Sequence, residues 1–137
     1  MFRMNRLPAL AVTMLGAAVL FPAKARAADL SGAWASEAEL CGQVFTKKGN
    51  AISFAELSEL YGSGFIVDGD HIRGKTGQCT IRSRKQEGDH VEIKASCATS
   101  IMTQELTFDV TFLDADNLTR AFPEVPGMML KYSRCKL

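Results

Sequence analysis

The chain has 137 residues, 47% of them apolar, and its sixteen Lys and Arg against fifteen Asp and Glu leave a net charge of +1 at pH 7. A charge so near neutral supplies no electrostatic drive toward nucleic acid or anionic lipid, so neither is expected as a partner. The length suits a single domain.

Arg3 and Arg6 precede an uncharged run from Leu7 to Phe21, and Ala25-Arg26-Ala27 stands before Ala28. A basic start, an apolar run short for a bilayer crossing and an Ala-x-Ala site together predict a secretory signal peptide over 1–27. A retained anchor is the alternative, disfavoured by Pro8 and Gly16 within the run. No cysteine follows the run to carry a lipid, and no membrane span is expected after cleavage. The mature domain, 28–137, keeps twelve of the sixteen basic residues and all fifteen acidic ones, a net charge of −3. Its expected address is the periplasm of a Gram-negative cell or the medium. Cys41, Cys79, Cys97 and Cys135 all lie in this part. An even count in a small exported domain predicts disulfides before metal or thiol chemistry, and no Cys-x-x-Cys pair argues otherwise.

Asp29-Leu30-Ser31-Gly32-Ala33-Trp34-Ala35 reads as a first strand bearing the only tryptophan. It resembles the Gly-x-Trp first strand of the calycin group, meaning lipocalins, avidins and the small periplasmic inhibitors of metalloproteases. The resemblance covers this opening alone and implies an eight-stranded up-and-down barrel with Trp34 plugging one end. It carries over no ligand or target.

Ser36-Glu37-Ala38-Glu39 has the form of a capping box, which predicts a short helix running to about Lys47 and stopping at Gly49-Asn50. Leu40, Cys41, Val44 and Phe45 would form its buried stripe. Beyond Asn50 the text becomes short alternating runs separated by turn signals, the pattern of a sandwich or barrel. Ala51 to Phe54 is a strand, and Glu56 to Tyr61 is either a helical turn or a loop. Phe65-Ile66-Val67 and His71-Ile72-Arg73 make a hairpin around Asp68-Gly69-Asp70. Glu105 to Leu113 and Asn117 to Phe122 make another, with Leu106, Phe108, Val110 and Phe112 facing inward. After the break at Pro123 to Gly127, Met128 to Cys135 closes the sheet.

The segment Cys79 to Cys97 is a hairpin with a cysteine at each open end, turning at Gln86-Glu87-Gly88-Asp89. A loop centred on Gly88 sets Cys79 opposite Cys97, Ile81 opposite Ala95, Ser83 opposite Ile93 and Lys85 opposite Val91. Thr80, Arg82, Arg84, Glu92, Lys94 and Ser96 then share the other, solvated face. This register favours Cys79 with Cys97 and so Cys41 with Cys135. The rival set, Cys41 with Cys79 and Cys97 with Cys135, stays open, because a directly cross-strand disulfide needs unusual geometry. The expected fold is an all-β, up-and-down or calycin-like barrel of about eight strands, with one short N-terminal helix and two disulfides.

No residue pattern suggests a cofactor, a metal or a catalytic set. His71 and His90 stand beside turns near Asp68, Asp70 and Asp89, outside any ligand-spaced motif. Asp114 and Asp116 suit turn chemistry, Glu56 and Glu59 a solvated edge, and Tyr61-Gly62-Ser63-Gly64 is followed by no helix that would make it a phosphate loop. Ala121 to Leu130 differs in kind, being apolar yet broken by Pro123 and Pro126. Phe122, Val125, Met128 and Met129 are the candidate contact surface, which Ile101 and Met102 extend. Trp34, Phe65, Phe108, Phe112 and Phe122 are expected to fill the interior. The expected function is a non-enzymatic binding protein of the cell envelope that acts by protein contact. A small-ligand-binding barrel is the alternative, and a small hydrolase with dispersed residues ranks below it.

Overall fold

The computed structural model describes Leu20 and residues 28–137; apart from Leu20, the expected signal peptide lies outside the described residues. Ten strands are formed, namely β1 (Gly32–Ala35), β2 (Phe45–Lys48), β3 (Ala51–Phe54), β4 (Gly64–Asp68), β5 (His71–Arg73), β6 (Gly77–Glu87), β7 (His90–Thr99), β8 (Thr103–Asp114), β9 (Asn117–Ala121) and β10 (Met129–Arg134). Eight of them close an antiparallel barrel in the order β1-β10-β9-β8-β7-β6-β5-β4. Strands β4 to β10 meander, and β1 closes the sheet by pairing Trp34 with Arg134 on one side and with Phe65 on the other. This eight-stranded architecture is compatible with the calycin resemblance. Among the described residues no helix is long and apolar enough to cross a membrane.

Period-two alternation fills the interior. Val91, Ile93, Ala95 and Cys97 of β7 and Phe108, Val110 and Phe112 of β8 are buried there with Trp34, Phe65, Leu118 and Tyr132. Phe122 does not join them. It follows the last residue of β9 and precedes Pro123, so the chain leaves the wall there and the ring stays only partly buried at the rim.

The two barrel ends differ. One carries the β4–β5, β6–β7 and β8–β9 turns and the entry of the chain at Ala28, and it is closed. There Arg134 lies with Cζ 4.4 Å from the Trp34 ring centroid. It donates to the carbonyls of Asp29 at 2.6 Å, Ala115 at 3.0 Å and Ser31, and pairs with Asp116 at 3.3 Å. The buried Trp34 Nε1–H donates to the Leu30 carbonyl at 2.9 Å. The other end, with the β5–β6, β7–β8 and β9–β10 connections, has no such plug among the described residues and opens onto a cavity between the strands.

The long hairpin β6–β7 forms with Cys79 opposite Cys97 and Ile81 opposite Ala95, as expected, but beyond Ile81 the pairing shifts. A bulge at Arg82 sets Ser83 opposite Lys94, Arg84 opposite Ile93 and Gln86 opposite Val91. The turn is therefore the two residues Gly88-Asp89, with Gly88 at φ +59°, and the bulge absorbs the extra residue. Arg84 thus takes the parity of Ile93 and, still exposed, lies at the closed end, where it donates to the Ala28 carbonyl at 2.6 Å. Gln86 accepts from the Ala28 N–H at 3.3 Å.

The expected helix to Lys47 is also corrected. A 3-10 turn over Ala38–Leu40 leads into one helical turn, α1 (Cys41–Val44), and Phe45 to Lys48 then pair as β2 with β3 around Gly49-Asn50. The capping box is not made. Ser36 instead ties the base of this excursion, accepting the Ser63 N–H on Oγ at 3.1 Å and donating its own N–H to the Ser63 carbonyl at 2.9 Å. The excursion packs on the outer wall, where Val44 and Phe45 bury against Ala33, Ala35, Ile66 and Cys135. Gly64 permits that approach, since a Cβ there would meet the Trp34 carbonyl at 2.6 Å and the Phe45 ring at 2.8 Å. Both expected disulfides form, Cys79–Cys97 and Cys41–Cys135. The latter tacks α1 to the outer wall.

Candidate functional site

The open end gathers what the closed end lacks. After β9 the segment from Phe122 to Met128 folds on itself. Val125 N–H donates to the Phe122 carbonyl at 3.0 Å, Met128 N–H to that of Val125 at 3.0 Å, and Phe122 N–H to that of Met128 at 3.3 Å. Two prolines withhold donors, and the compact turns leave the side chains of Val125, Met128 and Met129 pointing to solvent, 51%, 40% and 62% exposed. Phe122, Pro123, Pro126, Met128 and Met129 border an outer groove of about 340 Å³ with Asp109. Ile101 and Met102 stand exposed on the β7–β8 connection at the same end. The candidate contact residues and their proposed extension therefore share one rim.

Inside that rim is a cavity of about 200 Å³, walled by Phe65, Ile72, Leu106, Phe108 and the Cys79–Cys97 bridge. Arg120 projects into it, because the inward face of β9 carries Leu118 and then Arg120. Its Cζ lies 4.3 Å from the Phe108 ring centroid and 4.4 Å from that of Phe122. Burial lowers the guanidinium below its ordinary range, while the Tyr132 hydroxyl and the Glu124 carboxylate oppose that shift. The Nε–H is buried without a hydrogen-bond partner. Arg120 belongs to no expected site; its signal was the alternation Leu118, Arg120, Phe122, which places a cation at an inward position.

The remaining candidates are scattered. His71 is in β5, exposed, and paired in register with Thr80. His90 lies on the outer wall, its Nε2 at 2.7 Å from Asp109 Oδ1, a pair that sequence spacing did not reveal. Glu59 reaches Lys75 at 3.7 Å beside the 3-10 turn Ser58–Tyr61. At the closed end Asp29, Asp89, Asp114 and Asp116 border a depression of about 620 Å³ with Arg134. Three of these carboxylates already serve the chain. Asp114 accepts from the Asp116 N–H at 2.8 Å and from Asn117 Nδ2, and Asp29 accepts from the Ser31 N–H at 2.9 Å. These backbone N–H groups hold both carboxyls below the usual carboxylate range. Asp116 pairs with Arg134 and Lys136. Among the described residues no three His, Cys, Asp or Glu side chains are grouped as a metal-binding set.

Comparison with family models, with curated proteins and with solved structures finds no match to this chain. The reading of function therefore rests on the barrel mouth itself.

Proposed function

We propose that the chain is an exported, non-catalytic binding module of the cell envelope that engages a partner protein through the open end of its barrel, with Phe122, Val125, Met128 and Met129 in the contact. One observation carries this reading: exposed large apolar side chains among the described residues concentrate at that end. Ile101, Met102, Val125 and Met128 belong to two of its connections, Met129 opens β10 there, and Leu57, Leu60 and Tyr61 belong to the segment that enters β4 there. Of the others, Leu113 stands at the closed end, Leu137 is the last residue, with its carbonyl at Lys47, and Leu20 precedes the domain. Apolar groups gathered in this way mark contact surfaces, and methionine adapts to varied partner shapes. A cavity of about 200 Å³ falls short of the roughly 300–1,000 Å³ that encloses a small ligand, which favours contact over enclosure. The two disulfides suit a compartment where thiols oxidise.

A pull-down from envelope extract tests the reading, using the wild type and Met128→Asp/Met129→Asp. The wild type is expected to retain a partner that the variant loses. Equal recovery by both would remove this surface from the account.

A further inference from the structure

Arg120 is the residue at the mouth for which the fold gives no sufficient use. A guanidinium in a barrel wall is costly to desolvate, and a buried donor without a partner adds to that cost. Arg134, at the other end, shows what a structural arginine does here, since it donates to three backbone carbonyls and pairs with Asp116. Arg120 forms no salt bridge among the described residues and its Nε–H is unpartnered, although the Tyr132 hydroxyl and the Glu124 carboxylate lie near enough to favour its charge. The Phe108 and Phe122 rings take up its faces, leaving for a ligand the part of the planar N–H edge, Nε–H included, that is not turned to the Tyr132 hydroxyl. Among the described residues it is also the only charged one bordering the cavity, whose other polar groups include Gln78, Thr99 and Gln104.

We propose that Arg120 is an anion-recognition site, which takes one carboxylate carried on a short apolar stem of the partner polypeptide. This deepens the contact reading and rests on it. A single cation in an apolar cavity matches a monoanion, whereas a phosphate dianion would be left half neutralised. The cavity volume suits one side chain or chain end, while the exposed rim around it suits the apolar residues on either side of that anchor. The carboxylate belongs either to an acidic side chain or to a C-terminus. The two share this chemistry, and the experiment separates them.

The test uses the oxidised domain, residues 28–137, labelled with ¹⁵N, and reads the Arg120 Nε–H resonance during titration. One peptide pair is an acetylated valine–leucine pentapeptide ending in a free carboxylate, and its terminal amide. The second pair is amidated and carries a central glutamate or, in its counterpart, glutamine. At least one acidic peptide is expected to shift the resonance and to bind about tenfold tighter than its neutral counterpart. The pair that shows this advantage identifies the source. Acidic and neutral peptides binding alike to the wild type, or no binding by any of them, would overturn the proposal, as would hexanoate alone matching the best peptide. Arg120→Met is expected to abolish the acidic advantage, and Arg120→Lys to restore it only in part, the planar fork being lost. Because the wild-type pairs decide the matter, misfolding of a variant leaves the test intact. Met128→Asp/Met129→Asp separates the two readings. If that variant keeps full affinity for both members of a pair, the rim is refuted while the Arg120 site stands.

Discussion

Two arginines at opposite ends of one barrel show how neighbours decide what a side chain is for. Arg134 and Arg120 both lie over aromatic rings, but Arg134 has its donors satisfied and Arg120 does not. Replacing Arg120 by methionine, which fills similar volume without charge, is therefore expected to leave stability in urea unchanged or raise it by about 1 kcal/mol. Arg134→Met should lower it by about 2 kcal/mol, because carbonyls and Asp116 lose their partner. A loss of stability in Arg120→Met as large as that in Arg134→Met would mark Arg120 as structural. The carboxyls of Asp29 and Asp114 give a pH dependence of defined sign. Both are depressed below the ordinary aspartate value of 3.8 by backbone N–H donors, so each contributes stability above that value which is lost as pH falls through the lower folded one. The stability difference between wild type and Asp114→Ala, measured by thermal unfolding, should be full at pH 6 and shrink below about pH 3.8. A constant difference down to pH 2 would contradict this. At this scale the rim was legible, since Phe122 to Met129 combined apolar side chains with two prolines. Arg120 was not, because charge on a strand reads by default as solvated, and the short alternation Leu118, Arg120, Phe122 is too slight to override that without the burial the fold shows.

At the scale of elements, alternation and turn residues announced most strands and the cysteine pairing of β6–β7, and they failed where one residue alters parity. The bulge at Arg82 leaves no trace in composition, yet it exchanges the faces of every residue between it and the turn. Deleting Arg82 should consequently be tolerated, since Ile81 opposite Ala95 and Ser83 opposite Lys94 then join in one regular ladder with the same residues facing inward. The expected cost is under about 1 kcal/mol in urea unfolding with both disulfides retained. Loss of the Cys79–Cys97 bridge in the deletion would show that the bulge is required for the register. The excursion between β1 and β4 departs from its local pattern for a different reason. Leu40, Cys41, Val44 and Phe45 suit a helical stripe, but Phe45 is drawn into a hairpin because its ring pairs with Phe54, at 5.2 Å between centroids, over Ala33, Ala35 and Ile66. That preference belongs to the tertiary contact and is invisible in local spacing.

For the whole molecule, the barrel and its two staples were foreseeable because four cysteines, a Gly-x-Trp opening and a series of hairpins all point to one closed sheet. The address remains an expectation with a direct check, as the intact mass of the exported form should correspond to a chain beginning at Ala28. A mass retaining residues 1–27 would refute it. The fold also has a polarity. Ala28 is held at the closed end by Arg84 and Gln86, and β10 runs toward that same end before the last residues, where Lys47 reaches the Leu137 carbonyl at 3.4 Å. Both termini of the domain thus leave from the side opposite the mouth. Whatever is joined to either one, whether a tether, a tag or a neighbouring domain, hangs behind the barrel like a handle. A chip or bead grafted through it would present the opening to solution in a single orientation.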